Sequence, residues 1–180
     1  MAFTFTPSTL LFVFRDNQRV MTKKNIHQKF IEKLTSELTA ITAAAKESFA
    51  TATSEEHQAK NRHDTFKLES SFLARGQAKR VEDLTNALEN LHMLPLRKLP
   101  SKSPVQLGAL VRLIAGDNTT RTLFFCSTAG GESITAGSEE ITIVTPQSPI
   151  GQAILGKITG DKIDVKIGFT TNTYTVKSVE

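Results

Sequence analysis

Hydrophobic residues recur at helical spacing in the first half of the chain. Between residues 26 and 49 an apolar side chain returns every three or four positions, which predicts a helix with one narrow apolar seam. A second seam of the same kind covers residues 73–91 and stops before Pro95, a residue that ends helices. No glycine or proline interrupts residues 25–75. The pattern therefore predicts two long helices joined by a turn.

If the two helices pack against each other in opposite directions, they form a hairpin that folds back near residue 61. Three apolar pairs then face one another: Leu34 with Leu88, Leu38 with Leu84, and Ile41 with Val81. Helices of about thirty residues would project on the order of 45 Å, given the rise of 1.5 Å per residue. So long an arm has little core of its own, and we expect it to work by reaching a partner.

After Pro100 the pattern changes to short β-rich runs separated by turn residues. The runs cover residues 109–114, 120–126, 140–144, 162–167 and 173–179. Residues 116–118, Gly-Asp-Asn, have the composition of a hairpin turn. One short helix is expected at 148–155, with Ser148 as its cap, Pro149 at its first position and Gly156 after its end. The fold class is α+β: an N-terminal antiparallel two-helix coiled coil, then a small antiparallel β domain with one short helix.

The predicted domain boundaries follow from these patterns. The coiled coil occupies residues 21–96, a proline-flanked linker 97–104, and the β domain 105–180. Residues 1–20 are expected to be a disordered extension. Their apolar run at 9–14 is too short to span a bilayer and lacks the basic leader of a signal peptide.

Charge and cysteine content restrict the function further. The formal net charge is +4, and all of the excess lies before residue 101, spread along the predicted helices. Without a dense basic stripe or interleaved aromatic rings, direct nucleic-acid binding is not favoured. The single cysteine, Cys126, lies in an apolar run and cannot form an intrachain disulfide, so it is expected to pack as a small hydrophobe in a cytoplasmic protein.

Two local patterns are compared with known chemical motifs: a glycine–lysine spacing and the set of histidines. The glycine and lysine spacing at residues 151–157 matches most of a phosphate-binding loop, but Ile158 replaces the required hydroxyl and the intervening residues favour helix. The four histidines do not form a zinc motif: His27, His57, His63 and His92. The sequence therefore predicts a capped helix, no cofactor and no catalytic residues of its own.

Ionisable side chains cluster at the expected end of the hairpin. Three are acidic, Glu55, Glu56 and Asp64, and three are basic or polar, Lys60, Arg62 and His63. Such charge commonly solvates or caps a helical turn. Carboxylates at the end of a long arm could also complete the coordination of a magnesium ion bound elsewhere, because that ion prefers oxygen ligands.

The segment at residues 141–161 resembles the C-terminal domain of the GreA/GreB transcript cleavage factors. It contains a strand, a Ser-Pro-Ile-Gly helix start, a Leu-Gly-Lys helix end and a Gly-Asp turn, and residues 173–176 would close the sheet. The resemblance implies an FKBP-like fold that docks at the mouth of the RNA polymerase secondary channel while the coiled coil enters it. The implied docking region is Ser148, Pro149, Ile150, Gly151, Gly156, Lys157, Gly160 and Asp161.

The hairpin tip departs from that family's pattern. The standard factors carry Asp-Leu-x-Glu-Asn, whose two acids help to hold the second catalytic magnesium of the polymerase. Here Lys60 and His63 fall near those positions, and Glu55, Glu56 and Asp64 are the substitutes. The resemblance thus implies a monomeric accessory factor that binds no metal alone and no membrane. It would touch nascent RNA and the catalytic magnesium indirectly, and either stimulate cleavage or modulate access to the channel.

Two alternatives belong to other classes. An FKBP-like fold is compatible with a peptidyl-prolyl isomerase or chaperone, which needs an aromatic-lined pocket. Residues 101–180 contain four aromatic residues: Phe124, Phe125, Phe169 and Tyr174. A coiled-coil dimerisation scaffold is the third hypothesis, and it requires a stable oligomer where the factor would bind as a monomer.

Overall fold

The computed structural model describes residues 22–53, 63–100 and 102–180. Within these segments the side chains at 48–53, 63–74 and 167 are left undescribed. The elements are helices α1 (Lys23–Thr53), α2 (His63–His92) and α3 (Pro149–Ile154), and strands β1 (Leu110–Ala115), β2 (Thr120–Phe125), β3 (Ser133–Ala136), β4 (Glu139–Val144), β5 (Lys162–Ile167) and β6 (Thr170–Val179). This order confirms the predicted α+β fold. None of the helices in the described segments is long and apolar enough to cross a bilayer.

The two long helices pair in a register that differs from the predicted one. The ring Nε2 of His27 lies 2.7 Å from the Leu91 carbonyl oxygen, and Nε of Arg80 donates to the Glu37 carboxylate at 3.1 Å. In the pairing that these contacts show, each α1 residue faces an α2 residue about four positions earlier than predicted, which is one helical turn. The predicted register was therefore wrong, and the predicted fold-back at residue 61 lies outside the described residues. A seam that repeats every turn tolerates such a slip, because apolar residues meet in either register.

Six strands form one sheet in the order β3-β4-β2-β1-β6-β5. Every neighbouring pair is antiparallel except β2 and β4, which run parallel. The parallel pair departs from the all-antiparallel expectation because β3 was not predicted. β3 has only four residues, and it turns the chain so that β4 can lie beside β2 in the same direction.

Residues on opposite faces of the sheet form two separate hydrophobic cores. Along β2 and its end, Leu123 and Phe125 face one side, whereas Phe124 and Cys126 face the other, as strand alternation requires. We call the first the outer core: Val105, Ala109, Val111, Leu113, Leu123, Phe125, Val144, Ile154, Ile163, Val165, Tyr174, Val176 and Val179. The second is the coil-side core: Ile26, Phe30, Ile31, Leu34, Leu84, Ala87, Leu91, Leu110, Phe124, Cys126, Ile141 and Ile143.

Helix α1 crosses the coil-side face toward the β3 edge. The ring of Phe30 stacks on Phe124 in β2, with 5.9 Å between centroids. Further along α1, Lys33 Nζ donates to the Ser133 carbonyl of β3 at 2.8 Å. The base of the coiled coil is thus bound to the sheet, and the rest of the coil leaves the domain past β3. Strand β5 forms the opposite edge.

Candidate functional site

The predicted tip residues fall largely outside the described part of the chain. Glu55, Glu56, Lys60 and Arg62 lie in the gap between α1 and α2. His63 and Asp64 begin α2, where only the backbone is described: His63 is its first residue. Of the two predicted sites, the hairpin tip and the docking region, only the docking region at α3 has described side chains.

Helix α3 begins as the sequence predicted. The Ser148 hydroxyl accepts a hydrogen bond from the Gly151 N–H at 3.1 Å and donates to the Thr145 carbonyl at 2.8 Å. Pro149 follows the cap at the start of the helix, where its missing N–H costs nothing. The helix ends before Gly156, whose φ of +74° is the left-handed conformation that favours glycine. The predicted capped helix is confirmed, with Ser148 structural rather than free.

Gly151 is required by a close approach of two backbone segments. A Cβ atom at this position would lie 1.9 Å from the Thr145 carbonyl oxygen, so any side chain would collide with the main chain. Gly151 is also buried within α3 rather than part of a flexible loop. This placement agrees with the helical interpretation of residues 151–157 and gives the glycine a packing role.

The loop after α3 is held by hydrogen bonds from three directions. The Asp161 carboxylate accepts from the Ile158 N–H at 2.9 Å. The Gly160 N–H donates to the Val176 carbonyl of β6 at 2.8 Å. The Val105 N–H donates to the Lys157 carbonyl at 2.8 Å, which ties the loop to the segment before β1. Gly160 and Asp161 therefore fix the shape of the surface.

Two exposed apolar residues in this region were missed by the sequence reasoning. Leu155 is 51% exposed and Ile158 is 37% exposed, although each is a large hydrophobic side chain. Ile154, by contrast, is fully buried beneath α3, as predicted. Leu155 is the C-cap residue, where the backbone leaves the helical conformation, so its side chain does not continue the buried face that ends at Ile154.

The remaining residues of the predicted docking region differ in solvent exposure. Pro149 and Lys157 are exposed, whereas Ile150 is half-buried against the outer core. Of the eight predicted docking residues, the structure thus leaves Pro149, Ile150 and Lys157 with side chains available to a partner, and gives Ser148, Gly151 and Asp161 structural roles.

A cluster of charged residues joins the coiled coil to the loop before β3. The Lys33 ammonium lies 2.8 Å from the Glu132 carboxylate, and the Arg80 guanidinium lies 3.2 Å from the other oxygen of Glu132 while also binding Glu37. Hydrogen bonds from Lys33 and Arg80 hold the pKa of the Glu132 carboxyl below its ordinary value, against the opposing effect of partial burial. This junction cluster fastens both helices to the β domain.

Cys126 behaves as the sequence predicted. It is buried in the coil-side core, and burial raises the pKa of its thiol to about 12. A thiol with so high a pKa is neutral near pH 7 and packs as a small hydrophobe rather than acting as a nucleophile.

Two grooves in the described part of the chain lack aromatic lining. One of about 500 Å³ lies beside β2, β4 and Ile150, with Arg121 and Glu140 among its polar residues. The other, of about 370 Å³, lies between α2 and the loop before β3. Among the residues that the structure describes, no three His, Cys, Asp or Glu side chains are grouped to hold a metal ion.

Comparisons with known proteins bear on the β domain most directly. Residues 100–180 match the family described as "Transcription elongation factor, GreA/GreB, C-term". A relative, transcription elongation factor GreA of Rhodospirillum rubrum, is 32% identical over 104 residues, and the match covers 58% of this chain and 60% of that protein.

Solved structures of similar proteins include two from other organisms. The GreA factor homolog 1 (Gfh1) of Thermus thermophilus is 16% identical, with a TM-score of 0.37 and coverage of 83% of this chain and 94% of that one. The elongation factor GreA/GreB of Nitrosomonas europaea is 18% identical, with a TM-score of 0.33 and coverage of 53% and 78%.

Proposed function

We propose that the chain is a member of the GreA/GreB family and an RNA polymerase-binding regulator of transcription elongation, which the matches to that family support. In the proposed mechanism the β domain docks at the mouth of the secondary channel and the coiled coil enters the channel. The factor is not an enzyme alone; it acts on the active site of the polymerase as a cytoplasmic monomer. The observation that carries the proposal is the match of residues 100–180 together with a long helical hairpin fixed to that domain.

The geometry of the hairpin suits insertion into a channel. Polar contacts of α1 with the β domain extend as far as Lys33, which binds Glu132 and the Ser133 carbonyl. Helix α1 continues from there to Thr53, which at 1.5 Å per residue adds roughly 30 Å beyond the attachment. A two-helix arm of that length has a cross-section of little more than two helix diameters. It can therefore reach a recessed active site while the β domain stays at the surface.

Charge at the tip supplies the proposed action on the polymerase. In this proposal Glu55, Glu56 and Asp64 approach the catalytic magnesium and the 3′ end of the nascent RNA. Lys60, Arg62 and His63 add positive or polar groups, which oppose recruitment of a second cation. The balance between these two sets decides between stimulation of transcript cleavage and simple modulation of channel access.

The test is a cleavage assay on backtracked elongation complexes. Wild type, Asp64→Ala and Glu56→Ala would be compared, with Glu82→Ala as the matched control, because Glu82 is an exposed acid on the shaft of α2. We expect the tip variants to lose most of any cleavage, about tenfold or more, and Glu82→Ala to keep it. Polymerase affinity should stay nearly constant across the set.

Other outcomes of that assay are equally informative. Slower elongation without cleavage would identify a regulator that occupies the channel. Loss of affinity in Asp64→Ala equal to the loss of cleavage would contradict the division of labour between tip and domain. If wild type neither binds polymerase nor changes elongation, the proposal fails.

The alternative functions receive less support from the described residues. An isomerase of FKBP-like fold needs an aromatic-lined pocket, and neither of the two grooves described above contains an aromatic ring. A dimerisation scaffold predicts a stable dimer, whereas we propose a monomer. Sedimentation equilibrium at micromolar concentration separates these two.

A further inference from the structure

A groove of about 500 Å³ opens on the outer face of the sheet, beside the first residues of β2 and β4. Its walls come from these two strands, from Ser138 in the turn between β3 and β4, and from Ile150 of α3. The strands are hydrogen-bonded to each other and α3 is capped, so the groove is held open by ordered secondary structure. Its volume is that of a site for a small molecule.

The floor of this groove is aliphatic. Leu123 and Val144 belong to the outer core, and Ile150 is half-buried against it. A branched hydrocarbon group placed here would cover the surface that these side chains still expose. A nucleotide base would find no aromatic ring to stack on among the lining residues. The floor therefore favours an aliphatic group over a planar one.

Two opposite charges at the mouth of the groove are neighbours but do not pair. Thr122 is opposite Ile141 in the β2–β4 ladder, so the residues before them, Arg121 and Glu140, lie side by side on the outer face. Opposite charges at such positions commonly form an ion pair. Within the part of the chain that the structure describes, neither residue forms a salt bridge. The Arg121 guanidinium lies over the Tyr174 ring instead, 5.7 Å from its centroid.

We propose that the groove binds an α-amino acid with an aliphatic side chain, in its zwitterionic form. The ligand carboxylate pairs with the Arg121 guanidinium, which suits a planar carboxylate, and the ligand ammonium binds the Glu140 carboxylate. Neighbouring strands are about 4.8 Å apart, so both protein charges reach ligand groups that are separated by a single carbon atom. The aliphatic side chain of the ligand then lies on the groove floor.

Other classes of ligand match these charges less well. The interior of a long peptide has neither a free ammonium nor a free carboxylate. A phosphate-rich ligand would bring negative charge against Glu140, and a simple cation would be repelled by Arg121. This inference does not depend on binding to RNA polymerase, and the groove uses neither the hairpin tip nor the loop after α3.

The experiment titrates the full chain with L-leucine while Tyr174 fluorescence is recorded. Tyr174 is the single tyrosine in a chain without tryptophan, and its ring lies beneath Arg121, so it reports on movement of that guanidinium. We expect saturable binding, with shifts of the amide NMR signals confined to the β2, β4 and α3 residues of the groove. N-acetyl-L-leucine lacks the ammonium and L-leucine amide lacks the carboxylate, so each should bind about tenfold or more weakly.

Two variants assign each ligand charge to its protein partner. Glu140→Gln should weaken leucine binding about tenfold or more and leave N-acetyl-L-leucine unchanged. Arg121→Gln should do the same for leucine and leave L-leucine amide unchanged; its binding is followed by NMR, because the substitution alters the surroundings of Tyr174. The matched controls are Glu82→Gln on α2 and Lys166→Gln on β5, both exposed and outside the groove. They should bind leucine within about twofold of wild type, and far-UV circular dichroism verifies that every variant is folded.

The remaining outcomes overturn the inference. Absence of saturable binding by wild type would mean that Arg121 and Glu140 are hydrated surface charges. Equal affinity for leucine, N-acetyl-L-leucine and L-leucine amide would remove the recognition of a zwitterion. NMR shifts outside the groove would place the ligand elsewhere, and equal losses in the control variants would indicate a general effect of charge. Because no polymerase is present in this experiment, its failure leaves the proposed function intact.

Discussion

The two faces of the β sheet are covered in very different ways. The outer face is closed by the six-residue helix α3 and by residues from Leu99 onward, so its core belongs to the β domain alone. The coil-side face is closed by the bases of two helices of about thirty residues each, and its core joins residues 26–143. The β domain therefore has a core that does not need the coil, whereas the coil depends on the sheet at its base.

Beyond the sheet the coiled coil becomes progressively less buried. Leu34 is fully buried, while Leu38, Ile41 and Val81 are only half-buried. Two isolated helices bury less apolar area per residue than helices that also pack on a sheet, so the outer part of the coil is expected to be the least stable region. The proposed insertion into a channel would need such a thin arm, and packing on the sheet stabilises its base.

The largest expected effect on stability comes from a charge placed in the outer core. Ile154→Asp places a carboxylate where the side chain has no exposed surface, which should destabilise the domain by more than about 4 kcal/mol. Because the coil rests on the sheet, the helices should lose order as well. Tyr174 is the single tyrosine in a chain without tryptophan, so its fluorescence reports on the β domain and far-UV circular dichroism on the helices. Ile154→Val is the control, with a loss of about 1 kcal/mol.

A soluble Ile154→Asp protein with native Tyr174 fluorescence would contradict the placement of Ile154 in the outer core.

A destabilising substitution in the coil-side core should make the coiled coil unfold before the β domain. Phe30→Ala removes the ring that stacks on Phe124, and truncation of a fully buried phenylalanine costs about 3 to 5 kcal/mol. We expect the helical signal to melt at a lower temperature than the Tyr174 signal, because the outer core remains complete. Thermal melts followed by both probes measure the difference. Coincident transitions in this variant would mean that the domain depends on the coil after all.

The smallest expected effect is on the stability that the junction cluster contributes, and this contribution depends on pH. The pKa of Glu132 is lowered in the folded protein from its ordinary value of 4.5, so its ionised form is stabilised by folding. Its contribution is fully present above that ordinary value and is lost as the pH falls through the lowered pKa. Glu132→Gln should cost about 1 kcal/mol at pH 7, and the difference from wild type should vanish in acid.

Thermal unfolding of both proteins at several pH values and two salt concentrations measures this effect. A difference that persists unchanged in acid would mean that Glu132 acts through packing rather than charge.

The sequence predicted the elements with strong periodicity or end signals and missed those without them. The long helices and α3 were predicted because Ser148, Pro149 and Gly156 mark the ends of α3 and the seams mark the rest. Strand β3 has four residues and no alternation strong enough to separate it from a turn. The register was wrong by one turn because repeated apolar seams are nearly equivalent. The observed register places His27 beside the Leu91 carbonyl, a tertiary contact that no local pattern reveals.

The candidate site could be predicted only in part. The Ser-Pro-Ile-Gly segment correctly located helix α3, and its most recognisable residues support the fold, while the docking role of the region stays a prediction. The exposed side chains beside them, Leu155 and Ile158, lack a motif, because exposure depends on the tertiary position of α3 and its loop. The tip prediction stays a prediction, since its side chains lie outside the described residues.

Equilibrium competition with GreA for RNA polymerase would test whether this protein binds that enzyme. A labelled GreA would be bound to purified core enzyme, and the unlabelled full chain titrated against it while anisotropy is recorded. We expect complete displacement with a one-to-one stoichiometry, because both proteins would use the same docking site and channel. Retention of labelled GreA at a large excess of folded chain would contradict the claim that this protein binds the polymerase as a member of the family.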